Sequence, residues 1–177
     1  MRLFLAINLP ERLKKRLFKF AQNLKGFGRL KLVEENNIHL TLKFLGEAGP
    51  EPLIAALRAI QYKPFMLSLR GVGVFPNPDY IRVVWAGCEK GAQDVITLHN
   101  KIEEILKLND FKKDKDFHPH ATLARVKFPN DKRGLVDFIR ENQGMEFGEF
   151  KVESFELMKS ELSRAGPRYE LIEGFLL

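Results

Sequence analysis

Apolar and polar positions along the chain change repeatedly between a period of two and a period of 3.6 residues, which predicts strands alternating with helices. The predicted strands cover residues 2–9, 38–46, 65–75, 81–89, 118–126, 147–160 and 168–177. The predicted helices cover residues 10–25, 48–61, 93–109 and 131–142. Prolines mark the starts of the first two helices, and PNPD at 76–79 predicts a turn.

This order is a strand, helix, strand, helix, strand unit that occurs twice, with a boundary near residues 76–78. We therefore predict an α+β protein with two pseudo-symmetric lobes. Each lobe would be a small, mostly antiparallel sheet with helices on its outer face, and a cleft would lie between the lobes. The 177 residues fit a single two-lobed domain over 1–177, with sequence halves of about 1–76 and 77–177.

A short motif is repeated in equivalent strands of the two halves: HLTL begins at His39 and HATL begins at His120. The chain has four histidines and three threonines, yet two of the threonines, Thr41 and Thr122, follow a histidine by two positions. Residues two apart in a strand point to the same face, so each strand presents an imidazole beside a hydroxyl. If the lobes face each other about a pseudo-twofold axis, these four groups meet in one cleft.

This set of groups suits cleavage of a phosphodiester without a metal ion. The reaction needs a base that takes a proton from the attacking oxygen and an acid that gives a proton to the departing oxygen. Imidazole has an unperturbed pKa of about 6.5, so one of two histidines can be neutral while the other is protonated. Threonine hydroxyls can donate hydrogen bonds to the non-bridging oxygens. These residues alone leave open which histidine is the acid.

Composition and charge favour a cytoplasmic protein with a polyanionic partner. The single cysteine, Cys88, can form neither an intramolecular disulfide nor a cysteine cluster for a metal, which suits a reducing compartment. A net charge of +6 and a pI near 9.4 favour nucleic acid, although much of the excess lies on one face of the first helix. We expect no secretion signal and no membrane span, because no window reaches the ~20 apolar residues that a span needs.

Longer motifs resemble the two-histidine phosphoesterase superfamily, and within it the RNA 2',3'-cyclic phosphodiesterases, also called 2'-5' RNA ligases. The resemblance covers nearly the whole chain. It rests on HLTLKFLGE, GVGVFPNP followed by RVVWAG, HATLARV, and the ending LMKSELSRAGPRYELIEGF. It implies hydrolysis of a terminal 2',3'-cyclic phosphate on RNA to a 2'-phosphate, with reversible joining of RNA ends through a 2'-5' bond as a second activity.

The resemblance also implies roles for individual residues. His39 would donate a proton to the leaving 3'-oxygen, and His120 would accept one from water. Thr41, Thr122 and Arg125 would bind the phosphate. The implied enzyme needs no cofactor and no metal, and we expect a monomer. Its substrate would be RNA with a 2',3'-cyclic phosphate end, tRNA fragments among them, or a small cyclic nucleotide, and the sequence does not decide among these or an ADP-ribose phosphate.

Further residues are candidates for the same cleft. By strand alternation, Lys43 shares the face of the first motif's histidine and threonine and could add positive field there, or be an ordinary surface lysine. Arg125 reaches a phosphate only if the strand ends or bulges just before it. His118 is expected at the cleft mouth or at the start of the strand. Phe44 and Trp85 could stack on a base, but core packing is the expectation for both.

Two other hypotheses remain open. His118, His120 and His39 could bind zinc, which would make the protein a metallohydrolase with a bound hydroxide as its nucleophile. This hypothesis leaves the repeated threonine unexplained. The second alternative is a non-catalytic module of the same fold that binds an RNA end or a nucleotide, and the intact histidine in each half counts against it.

Overall fold

The computed structural model describes residues 1–164 and 166–177, and this part of the chain contains nine β-strands and four α-helices. The strands are β1 (Arg2–Asn8), β2 (Gly28–Leu32), β3 (His39–Glu47), β4 (Phe65–Asn77), β5 (Tyr80–Cys88), β6 (His120–Pro129), β7 (Glu146–Val152), β8 (Ser154–Leu162) and β9 (Pro167–Leu176). The helices are α1 (Glu11–Ala21), α2 (Pro50–Leu57), α3 (Ala92–Lys107) and α4 (Lys132–Glu141). Among the described residues, no helix is long and apolar enough to cross a bilayer.

Two strand assignments from the sequence were wrong. The five-residue strand β2 was not predicted, because it is short and directly follows a helical turn at 22–27. The single strand predicted over 147–160 is two strands, β7 and β8, which separate at Glu153. The buried apolar positions change phase here, because two residues, instead of one, separate Val152 from Phe155. The prediction of one strand overlooked this break in the alternation, which marks where the chain leaves one edge of the sheet and enters it again elsewhere.

All strand pairs are antiparallel, and the spatial order is β7-β4-β5-β6-β3-β1-β8-β9, with β2 paired to β6 outside this path. The two four-strand groups, β7-β4-β5-β6 and β3-β1-β8-β9, meet at a single paired position, Leu40 with Ala121. The protein thus has the predicted α+β fold with two lobes. The sequence halves do not coincide with these groups, since β4 lies beside β5 and β7, while β8 lies beside β1 and β9 lies beside β8.

Helices cover one side of the sheet and leave the other side of β3 and β6 open. Leu13 and Leu17 on α1 and Ile102 on α3 are fully buried in the same core as Leu40 on β3 and Leu123 on β6. Burying such side chains stabilises the fold by about 1.5–3 kcal/mol each. Because neighbouring strand residues point to opposite faces, the motif residues on either side of Leu40 and the one directly before Leu123 face away from the helices.

Candidate active site

The two motif strands lie next to each other at the centre of the sheet. β3 and β6 pair at Leu40 and Ala121. In each strand the histidine comes one residue before this position and the threonine one residue after it. Because the strands are antiparallel, each histidine lies opposite the threonine of the other strand, and the histidines are diagonal neighbours, for which the usual separation is about 7–8 Å. A local twofold axis through the paired position therefore relates the two motifs, with room for a phosphate between them.

Both imidazoles are held in the same way. His39 Nδ1 donates to the carbonyl oxygen of Asn37 at 2.7 Å, and His120 Nδ1 donates to the carbonyl oxygen of His118 at 2.6 Å. With its proton on Nδ1, a neutral imidazole has an acceptor at Nε2. The Thr41 hydroxyl lies 2.9 Å from His39 Nε2. The local backbone thus orients both rings by one nitrogen and leaves Nε2 for chemistry.

Aromatic rings surround each imidazole. The centroid distances are 5.0 Å from Phe4 to His39, 5.3 Å from Tyr169 to His39, 4.9 Å from Phe75 to His120 and 6.2 Å from Trp85 to His120. Trp85 lies flat against the strands at Gly73 and Gly87, where its ring occupies the space that a Cβ would need. These contacts restrict the rotamers of both histidines and remove water from one side of each ring.

Burial lowers the pKa of His39 to about 4, and the positive charges of Lys14 and His120 add to the effect. Burial is also the largest cause that lowers the pKa of His120, followed by the charges of His118 and Arg125. The hydrogen bonds to backbone carbonyls oppose both shifts. The free protein therefore favours two neutral imidazoles, and each ring lies within the electrostatic reach of other cations in the cleft.

A β-bulge brings Arg125 onto the face of the second motif. The pairing of β6 with β5 shifts register between Thr122 and Ala124, and Leu123 and Ala124 are both buried. Arg125 is consequently exposed on the opposite side from Ala124. Its charge acts on His120 and also on Tyr169, where it opposes the rise in pKa that burial causes. The structural condition for Arg125 to reach a phosphate in the cleft is therefore met.

An equivalent bulge in β3, formed where β3 pairs with β1, corrects the placement expected for Lys43. Leu42 and Lys43 are both buried, so Lys43 points into the helical layer and not into the cleft. Its Nζ lies 2.5 Å from Glu103 Oε1 and 3.0 Å from Asp114 Oδ1, and it donates to the carbonyl oxygen of Lys112 at 2.9 Å. Strand alternation failed here because a bulge reverses the faces of all residues that come after it.

Phe44 occupies the position in the first motif that Arg125 occupies in the second. The two strands have the same order of buried and exposed residues, and both positions come directly after the bulge. Phe44 is 69% exposed, against the expectation of core packing, and its ring centroid lies 6.2 Å from that of Phe4. Aligning HLTLKF with HATLAR in the sequence would have revealed this equivalence.

His118 precedes β6 and is exposed, with its ring centroid 6.3 Å from that of Phe75. Its carbonyl oxygen accepts the hydrogen bond that orients His120. The imidazole nitrogens of His39, His118 and His120 do not form a cluster small enough for one metal ion. The proposed zinc site therefore lacks its geometry.

In the described part of the chain, the group of side chains close enough to hold a metal is His99, Glu103 and Asp114. The ammonium group of Lys43 already binds both of these carboxylates. His99 Nδ1 donates to the carbonyl oxygen of Leu42 at 2.9 Å. The cluster is therefore a buried ion pair that joins α3 to β3.

Comparisons with known proteins agree with this geometry. A family model described as LigT like Phosphoesterase matches residues 7–85 and 87–169. An RNA 2',3'-cyclic phosphodiesterase of Methanocaldococcus jannaschii is 41% identical over 174 residues, which cover 98% of this chain and 99% of the relative.

Solved structures extend the likeness to the fold. A Thermus thermophilus protein superposes with a TM-score of 0.83 at 35% identity, covering 100% of this chain and 98% of that chain. Escherichia coli LigT in complex with 3'-AMP superposes with a TM-score of 0.78 at 27% identity, covering 99% and 97%. Because the family model spans both motif strands and these relatives cover almost the full chain, the protein belongs to the LigT-like phosphoesterases of the two-histidine phosphoesterase superfamily.

Proposed function

We propose that this protein hydrolyses the 2',3'-cyclic phosphate at the end of an RNA strand to a 2'-phosphate, by acid and base catalysis without a metal. The observation that carries the proposal is the local twofold arrangement of two imidazoles, each held by Nδ1 with Nε2 left for chemistry. A phosphorus atom between the two Nε2 atoms would have one imidazole on the side of the attacking oxygen and one on the side of the departing oxygen.

In the proposed reaction, His120 Nε2 takes a proton from water while the water oxygen attacks phosphorus. The bond from phosphorus to the 3'-oxygen breaks, and protonated His39 gives its Nε2 proton to that oxygen. Thr41 and Thr122 donate to the two non-bridging oxygens, and Arg125 adds positive charge beside them. An RNA 5'-hydroxyl in place of water would give a 2'-5' linkage by the same steps.

The low pKa of His39 is compatible with a role as the acid. A phosphate anion beside Nε2 stabilises the protonated ring, so substrate binding raises the pKa from its value of about 4 in the free protein. The ring protonated in this way can then give its Nε2 proton to the departing 3'-oxygen. The limbs of kcat should consequently lie at higher pH than the limbs of kcat/KM.

The broken symmetry of the cleft supports a nucleotide substrate. At equivalent positions, one lobe presents the guanidinium of Arg125 and the other the exposed ring of Phe44. A base can stack on Phe44 while the phosphate faces Arg125. The site is complete within one chain, which supports action as a monomer. RNA ends produced in the cytoplasm, tRNA fragments among them, would be suitable substrates.

The test is hydrolysis of an oligonucleotide with a 2',3'-cyclic phosphate end, with EDTA present and the product isomer identified. We expect a 2'-phosphate, and we expect His39→Ala and His120→Ala each to lower kcat by at least ~10²-fold with little change in substrate affinity. A substrate with sulfur in place of the 3'-oxygen has a better leaving group, so it should restore the rate of the acid variant and not that of the base variant.

Two results would favour the alternatives. Loss of activity with EDTA, together with a large effect of His118→Ala, would support a zinc enzyme. Equal losses of binding and turnover in the histidine variants would support a module that only binds RNA ends.

A further inference from the structure

A strip of positive charge leads from the cleft along the outer edge of β6. Strand β2 pairs with β6 beyond the point where β6 leaves β3, and the two strands carry exposed cations on this edge. The name basic strip is used for Lys25, Arg29, Lys31 and Lys127. These residues line one shallow groove with a volume of about 400 Å³.

The strip lies on the same face of the sheet as the candidate active site. Lys31 pairs with Arg125, and Arg29 pairs with Phe128, so these four side chains share one face. Lys127 is the extra residue in a bulge between the two pairs. Cations two residues apart along a strand are about 7 Å apart, and those on neighbouring strands are about 5 Å apart. The strip therefore continues directly from the guanidinium assigned to the reacting phosphate.

None of the four lysine and arginine side chains in the strip forms an ion pair or a hydrogen bond with a residue that the structure describes. Elsewhere on the surface, Arg70 and Lys159 each contact carboxylates within 4 Å. Exposed cations that gather on one face without carboxylate partners produce a positive field that attracts polyanions. Phe128, which is 62% exposed at the end of the strip, offers a ring on which a base can stack.

We propose that the basic strip binds the phosphodiester backbone of single-stranded RNA on the 5' side of the cyclic end. This inference rests on the proposed function, because the end itself would occupy the cleft. Repeated cations beside an exposed aromatic ring are typical of single-strand binding surfaces. The strip would thus give the enzyme a preference for RNA strands over cyclic mononucleotides, which cannot reach beyond Arg125.

The test compares a 2',3'-cyclic mononucleotide with a single-stranded oligonucleotide of roughly ten nucleotides that ends in 2',3'-cyclic phosphate. The variant is Arg29→Glu/Lys127→Glu, and the milder Arg29→Gln/Lys127→Gln serves if charge reversal disturbs folding. The matched control is Lys63→Glu/Lys101→Glu, which makes the same change in net charge at exposed positions outside the strip. Circular dichroism and melting temperature verify that each variant is folded.

We expect the strip variant to lower kcat/KM for the oligonucleotide by about tenfold or more, while turnover of the mononucleotide stays close to that of the original protein. The slope of log affinity against log salt should decrease by about 1.4, since each phosphate contact with a single strand contributes about 0.7. The control variant should lose much less. Equal losses on both substrates, or no loss on the oligonucleotide, would overturn the proposal.

Binding is measured separately, by fluorescence anisotropy of the same oligonucleotide ending in a 2'-phosphate. If the original protein cleaves neither substrate, the proposed function fails, and the strip is still supported or refuted by whether its variant loses this binding. Binding to phosphatidylglycerol vesicles that equals RNA binding and falls by the same factor in the strip variant would also refute a site for RNA.

Discussion

Replacing Lys43 with methionine should greatly destabilise the protein, because this lysine is a buried ion-pair partner. The side chains of Lys43 and Glu103 are 2% and 4% exposed, and their charged atoms are 2.5 Å apart. Methionine keeps the length of the side chain but leaves the Glu103 carboxylate buried without its cation. Removal of one partner from such a pair costs about 3–5 kcal/mol. For a chain of this size, the melting temperature should therefore fall by roughly 6–20 °C.

The assay is thermal and urea unfolding of purified variants. Lys101→Met, at an exposed position on α3, is the control and should change stability by less than about 0.5 kcal/mol. Lys43→Met/Glu103→Leu removes both charges and should recover most of the loss, since apolar replacement of a complete buried pair is often close to neutral. If Lys43→Met kept its stability and instead lost kcat, the ammonium group would act in the cleft, and its placement in the helical layer would be refuted.

Three further predictions concern the cleft. The substitutions Thr41→Val and Thr122→Val keep the side-chain shape but remove a hydrogen bond to the phosphate. Each should therefore lower kcat by about 10²-fold in steady-state assays. An unchanged kcat would exclude the hydroxyls from catalysis. The profile of kcat/KM against pH should be bell-shaped with both limbs below pH ~6.5. The reason is that the pKa values of His39 and His120 are both lowered in the free protein, so each ring loses its proton at a lower pH than an unperturbed imidazole does. An alkaline limb above this range would contradict it. Phe44→Ala should raise KM by about tenfold with kcat nearly unchanged, because a stacked base contributes about 1–3 kcal/mol to binding, and an equal KM would mean that the base lies elsewhere.

The lobe architecture was predictable because it rests on local periodicity. The strands β1, β3, β5 and β6 and the helices α1 and α3 match the pattern of apolar residues to within a few positions. The predicted family was confirmed by the family model and by full-length relatives. The roles of the site residues stay proposals, although the structure brings the two motifs onto one face.

The sequence by itself determined which residue types meet. The repeated histidine and threonine pattern sets two side chains on one strand face by the two-residue period alone, and this holds for the first three positions of each motif. Only the tertiary structure decided the faces of the later positions. A bulge arises from how a strand pairs with its neighbours, and the partners β1 and β5 are distant in sequence from the residues they shift. That pairing buries Lys43, exposes Phe44 and turns Arg125 toward the cleft, because an extra residue reverses the alternation that the sequence otherwise dictates.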